Sequence, residues 1–299
     1  MANTDDIVIS TRGLTKRFGK LTAVDALDID VVRGEIFGFL GPNGAGKTTA
    51  IRMLFDFIRP TGGTATVLGG SGSDPAIRAR IGYLPGDLNL QGRYTANDVV
   101  SLFGALRGGV DGARVDALME RFDLDPTRPI GELSTGNRRK VGIVQAFMHD
   151  PEVLILDEPT SGLDPLLQHE FQQLLAERRA AGVTVLLSSH VLPEVERVAD
   201  RVAILRSGRL AAITTIDELR LHARQRIQLH VAGGADAALF ANLPNVIEAG
   251  VHGDVVEVVV EGSVDAVIKA AATLTVTRLV THNDDLEDTF LGLYREDGA

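Results

Sequence analysis

The chain has 299 residues, 44% of them hydrophobic, which is enough for a large core and more than one domain. It contains no cysteine, which excludes disulfides, thiolate catalysis and zinc–thiolate sites. The net charge of −10 is uneven: residues 221–299 hold five basic against twelve acidic side chains, a balance that repels nucleic acid. Residues 1–6 are polar and acidic and do not read as a signal peptide. The longest apolar runs, such as residues 153–156 and 183–187, fall far short of a membrane span. A soluble, cytoplasmic chain is expected.

Ile7, Val8 and Ile9 read as an early strand, and residues 27–31 as a second with alternating polarity. Ile36, Phe37, Gly38, Phe39 and Leu40 then form an apolar run that enters Gly41-Pro42-Asn43-Gly44-Ala45-Gly46-Lys47-Thr48. This octapeptide fits G-x-x-x-x-G-K-[ST], a loop that cradles phosphate. Its glycines let backbone N–H groups turn inward around an anion. The helix expected over residues 49–54 points its positive dipole end at the same place. Lys47 can reach β- and γ-phosphate oxygens, and the Thr48 hydroxyl suits Mg²⁺. Strand, loop and helix in this order predict nucleotide binding.

Pro60-Thr61-Gly62-Gly63 ends a helix and turns into a strand at residues 64–68. From about residue 97 to 148 the pattern is helical, with Val115, Leu118, Met119 and Phe122 on one face. Residues 153–156 read as a parallel strand covered on both faces. A helix over 166–180, a buried strand at 183–187 and a hairpin around Ser207-Gly208 follow. Strands alternating with helices predict an α/β sheet. Beyond residue 217 the texture changes. Strands are expected around Ile227 to Val231 and at 246–249, 255–260 and 276–281, with helices at 236–243 and through Val264, Val267, Ile268, Ala271 and Leu274. Leu286, Phe290 and Leu293 mark a last helix. The βαββαβ order predicts a small α+β module of ferredoxin-like type.

The run at 153–156 ends in Asp157, Glu158 and Pro159. Asp157 is placed to hold Mg²⁺, directly or through water. Glu158, one residue on, is placed to accept a proton from the attacking water or to orient it. Leu133-Ser134-Thr135-Gly136-Asn137 precedes a helix, where Ser134 and the N–H groups near Gly136 can bind anionic oxygen. Such a sequence also serves as an ordinary helix cap. His190 follows the strand at 183–187, and the carboxyl end of a parallel strand is where ligands are met.

Together with Ser161-Gly162-Leu163-Asp164, these motifs occur in the order found in the ATP-binding subunits of ABC transporters, which the chain resembles over residues 7–217. The resemblance implies an α/β P-loop NTPase core of the ABC ATPase type, with an antiparallel β subdomain and a helical subdomain at about 86–150. This nucleotide-binding domain should span residues 1–217, with an accessory or regulatory domain at 218–299. ATP and Mg²⁺ are the implied cofactors. Gly41, Pro42, Asn43, Gly44, Ala45, Gly46, Lys47, Thr48 and Thr49 should surround the phosphates, with Thr48 and Asp157 on the metal. Phe18 should stack on adenine. Ser134 and Gly136 should contact the γ-phosphate of ATP bound to a second copy, and Asp164 should link the two sites across that head-to-tail homodimer. Glu158 should be the catalytic base, and His190 should hold the γ-phosphate and attacking water. Hydrolysis should power a separate membrane permease, which holds the subunit at the cytoplasmic face of the membrane. The tail Asp285-Leu286-Glu287-Asp288-Thr289-Phe290 resembles daunorubicin-resistance-type exporter subunits, which implies export of a drug-like or other small hydrophobic substrate.

Two departures from the family pattern stand out. Thr135 and Asn137 replace a Gly and a Gln of the signature segment Leu-Ser-Gly-Gly-Gln. Gly86 stands where a Gln commonly senses Mg²⁺ and the membrane partner. Asp87, Gln91 or water are open as its substitutes. A regulatory nucleotide-binding module with little turnover is the alternative function.

Overall fold

The computed structural model describes residues 6–222, 224–234 and 236–283, in two units that divide between Ile213 and Thr214. The first unit begins with β1 (Ile7–Phe18), β2 (Leu21–Val32), β3 (Ile36–Leu40), α1 (Lys47–Leu54), β4 (Gly62–Val67), α2 (Pro75–Ala79) and β5 (Ile81–Leu84). The helices α3 (Ala96–Ala105), α4 (Gly112–Arg121) and α5 (Thr135–Phe147) come next. It closes with β6 (Val153–Asp157), α6 (Pro165–Ala180), β7 (Thr184–Ser189), α7 (Leu192–Glu196), β8 (Arg201–Arg206) and β9 (Arg209–Thr215), whose last two residues already belong to the second unit.

One sheet has the order β5-β6-β7-β3-β8-β9, and its pairs from β5 through β8 are parallel. Every residue of β3, β6 and β7 is buried, which is why these strands read as continuous apolar runs. Side chains still alternate between faces. Leu154, Leu156, Val185 and Leu187 enter one core cluster, with Val141, Phe122 and Phe171 from the helices. Phe37, Phe39, Ile155 and Leu186 enter the other, with Ile51 of α1 and Leu14 and Leu27 of a second sheet. That second sheet, β2-β1-β4, is antiparallel. The α/β expectation is met, and the antiparallel strands are longer than their sequence pattern suggests.

The expected face of Val115, Leu118, Met119 and Phe122 is buried on α4 and just after it. Each helix of this segment starts on a side-chain cap: Thr95 in a reciprocal box with Asp98, Asp111 on the Ala113 N–H, and Ser134 on the Asn137 N–H. Residues 81–84, to which the sequence pattern gives no strand, form the parallel edge strand β5. The first helix ends at Leu54, several residues before Pro60.

The second unit contains α8 (Ile216–His222), β10 (Arg224–Val231), α9 (Ala238–Ala241), β11 (Val246–His252), β12 (Val255–Glu261), α10 (Asp265–Ala271) and β13 (Val276–Asn283). Its sheet is antiparallel in the order β11-β12-β10-β13, the arrangement of two interlocked βαβ units. Ile227, Leu229, Val256, Val258 and Val260 pack with Phe240 and Val267 from its helices. The helix marked by Leu286, Phe290 and Leu293, and the tail motif at 285–290, lie outside the described residues.

Candidate active site

The strand register assembles the site. Asp157 of β6 pairs with Ser188 of β7, and Ser188 pairs with Phe39 of β3. Glu158 follows that row by one residue, and both Gly41 and His190 follow it by two. Three segments far apart in sequence thus reach the carboxyl edge of one sheet side by side, where open α/β sheets hold ligands.

The loop at residues 41–48 leaves β3 and closes on α1. Gly46 is the residue before the helix, with φ 105°, a left-handed conformation that suits glycine. A Cβ there would lie 2.4 Å from the Ala23 carbonyl oxygen. Pro42, Asn43 and Gly44 are exposed, Ala45 is buried, and Thr48 and Thr49 are half-buried. Lys47 is buried, and its Nζ donates to the carbonyl oxygens of Gly41 at 2.5 Å and Pro42 at 3.3 Å. The same Nζ forms an ion pair with Glu158 Oε1 at 3.3 Å.

Glu158 bridges two candidate groups. Its Oε2 lies 2.7 Å from His190 Nδ1 while Oε1 faces Lys47. The Glu158 backbone has φ 49°, a strained value for a residue with a side chain. Its N–H donates to the Ser188 carbonyl at 3.2 Å and to Ser188 Oγ at 3.1 Å. Asp157 is fully buried and accepts from Ser188 Oγ at 2.5 Å through Oδ1. Its Oδ2 is buried with no hydrogen-bond partner among the described residues. A carboxylate oxygen left without a donor in a buried setting fits a bound cation or its water. Among the described residues no cluster of three or more acidic or His side chains forms a metal cage, and Mg²⁺ held together with phosphates needs none.

Ser134, Gly136, Asp164 and Phe18 stand apart from this group. Ser134 caps α5, its Oγ accepting from the Asn137 N–H at 3.2 Å. Gly136 packs on the 161–164 loop so closely that a Cβ would lie 2.6 Å from the Gly162 carbonyl oxygen. Asp164 caps α6 through the Leu167 N–H at 3.0 Å. Ser134, Thr135 and Asp164 are exposed, and among the described residues no hydrogen bond joins Ser134 or Gly136 to the loop at 41–48. Phe18 is 49% exposed at the β1–β2 turn, with Lys16 Nζ 5.1 Å from its ring centre.

Two participants carry no motif of their own. Ser188 supplies the hydrogen bond to Asp157, and only the strand register reveals it. Arg139 of α5 is buried beside Pro85, Gly86 and residues 157–159, and burial lowers its pKa despite the nearby charges of Asp157, Glu158 and Asp87. Neither of the side chains considered as substitutes at the Gly86 position, Asp87 and Gln91, hydrogen-bonds to Asp157 among the described residues.

The profile described as "ABC transporter" matches residues 24–161. Nod factor export ATP-binding protein I of Ralstonia nicotianae is 37% identical over 222 residues, which are 72% of this chain and 69% of that protein. Daunorubicin resistance ATP-binding protein DrrA3 of Streptomyces coeruleorubidus is 38% identical over 78% of this chain and 77% of its own length. A solved structure of an ATP-binding subunit of an ABC transporter aligns with TM-score 0.66 at 30% identity, covering 71% of this chain and 92% of that one.

Proposed function

Because this chain belongs to the ABC transporter family, as an ATP-binding subunit that hydrolyses ATP to drive transport, we propose that residues 41–49, Asp157, Glu158 and His190 form one half of its hydrolytic site. The observation that carries this is the Glu158 carboxylate held between the Lys47 ammonium and the His190 ring. The γ-phosphate would draw Lys47 toward its own oxygens and release Glu158 Oε1. Glu158 would then take a proton from water as the water oxygen bonds to the γ-phosphorus and the β–γ bridging bond breaks toward ADP. His190 orients Glu158 through Nδ1 and keeps Nε2 for the phosphate or the water. When bound, Mg²⁺ would neutralise phosphate charge, and Thr48 and Asp157 are the residues that would hold it.

The other half would come from a second copy. Ser134 and Thr135 are exposed at the start of a 13-residue helix, where N–H groups favour an anion. A head-to-tail homodimer would bring them onto the γ-phosphate of the partner, with Asp164 near the seam and Phe18 on adenine. Mixing two defective chains tests this. Lys47→Ala removes the phosphate lysine. Ser134→Asp keeps the helix cap and sets a negative charge against the phosphate. Each variant alone should be inactive, and a mixture should regain ATPase activity because one composite site is intact. If the mixture stays inactive while the wild-type chain turns over, the shared site is refuted.

Among the described residues no helix is long and apolar enough to cross a membrane, so transport calls for a permease partner at the cytoplasmic face. A groove of about 750 Å³ in the first unit, lined by Phe57, Ile81, Tyr83, Leu90, Phe103 and Leu106, suits docking of an apolar permease segment. The names of the two relatives, one for export and one for daunorubicin resistance, support export of a drug-like or other small hydrophobic substrate.

A further inference from the structure

Arg139 spends all five of its N–H donors on backbone carbonyls. Nη1 donates to Pro85 at 2.7 Å and Gly86 at 3.0 Å. Nη2 donates to Asp157 at 2.6 Å and also to Glu158. Nε donates to Pro159 at 3.1 Å. Among the described residues no acidic side chain receives a hydrogen bond from it, although it is a buried cation. Burying this charge is costly, and the carbonyls it satisfies, two of them flanking Glu158, are what offset that cost.

The two carbonyls on Nη2 lie on either side of the Glu158 Cα. Holding both restrains the backbone of Glu158, which sits at φ 49°. Strained backbone of this kind persists only where its surroundings over-determine it. Ser188 accepts the Glu158 N–H as well. The Nη1 branch reaches the loop where Gly86 replaces the usual Gln. A Cβ on Gly86 would lie 3.1 Å from Asp157 Oδ2, so the loop here approaches the carboxylate with backbone alone.

We infer that Arg139 is a positioning residue that holds Glu158 in its working geometry and ties it, from the signature helix, to the loop at Gly86. This rests on Glu158 being the catalytic base. A movement of α5 or of the 85–86 loop then reaches Glu158 through one rigid planar group rather than through a flexible side chain.

Three variants of the full chain test it: Arg139→Lys, Glu158→Gln and the double variant. Lysine keeps the charge but has three donors and no fork. Arg139→Lys should lower kcat at least about tenfold while ATP affinity, measured by equilibrium binding, stays within about threefold. Because Arg139 acts through Glu158, adding Arg139→Lys to Glu158→Gln should cost no further turnover. Unchanged kcat in Arg139→Lys, additive losses in the double variant, or joint loss of ATP binding and cooperative unfolding would each overturn the inference. Full turnover in Glu158→Gln would instead remove the base on which it rests, a separate result read from a separate variant.

Discussion

Ser188→Ala isolates the hydrogen bond that the strand register supplies to Asp157. Ser188 Oγ donates to Asp157 Oδ1 at 2.5 Å in a fully buried setting, and Oδ2 already has no donor. Alanine would leave the carboxylate with no hydrogen bond. A bond to a charged group contributes about 1.5–3 kcal/mol. The second bond lost, from the Glu158 N–H, matters less because the Ser188 carbonyl still accepts that proton at 3.2 Å. The expected destabilisation is therefore about 2–3 kcal/mol, or a Tm lower by roughly 5–10 °C for a unit of this size. Mg²⁺ with a non-hydrolysable ATP analogue should shrink this deficit by about half, since a cation at Asp157 replaces the missing donor. The analogue with EDTA should not. Thermal unfolding under the three conditions is the assay. A deficit unchanged by Mg²⁺ and analogue would place the metal away from Asp157, and a deficit under about 2 °C would show that the bond contributes little.

Gly46→Ala should lower ATP affinity more than about tenfold in equilibrium binding, because φ 105° and the Ala23 carbonyl 2.4 Å from a Cβ force the phosphate loop to move. Phe18→Ala should weaken ATP binding by about 1–3 kcal/mol, as loss of a base-stacking ring does, with Tm unchanged because the ring is 49% exposed. His149 is pushed down to about 4 by burial, with Arg107 adding to the effect. Its folded pKa lies below its unfolded value of 6.5, so the neutral ring stabilises fully above pH 6.5 and that stability is lost as pH falls toward 4. The loss should be about 2 kcal/mol after allowance for partial exposure, and His149→Gln should flatten it in a pH series of chemical denaturation curves.

Residues 36–40, 153–156 and 183–187 were legible as strands because sheet burial on both faces leaves an unbroken apolar run. The loop at 41–48 was legible because few sequences satisfy both its turn and its chemistry. The strand at residues 7–18 was legible only at its start. Its register shifts, and Arg12, Lys16 and Arg17 on it break the alternation that marks a strand. Residues 81–84 are too short, and Gly82 too poor a strand former, to signal a strand without the neighbour at 153–157. The site showed the same division. Asp157, Glu158 and His190 announced themselves through position after apolar runs. Ser188 depends on register, which no local pattern encodes. Arg139 sits in Arg138-Arg139-Lys140, which reads as a solvated basic turn of helix, yet Arg139 and Lys140 are both buried. Long basic side chains reach carbonyls several ångströms away, so their burial is a tertiary property.

The reaction proposed for this site depends on Glu158 taking the proton from water. Steady-state ATP hydrolysis by Glu158→Gln, measured together with its oligomeric state in Mg²⁺ and ATP, reads that role. Glutamine keeps the shape and the contact with His190 but cannot accept the proton, so turnover should fall at least about a hundredfold, to a residual rate that can still be measured, while an ATP-bound dimer accumulates. Hydrolysis at the wild-type rate would contradict the assignment, whatever the dimer does.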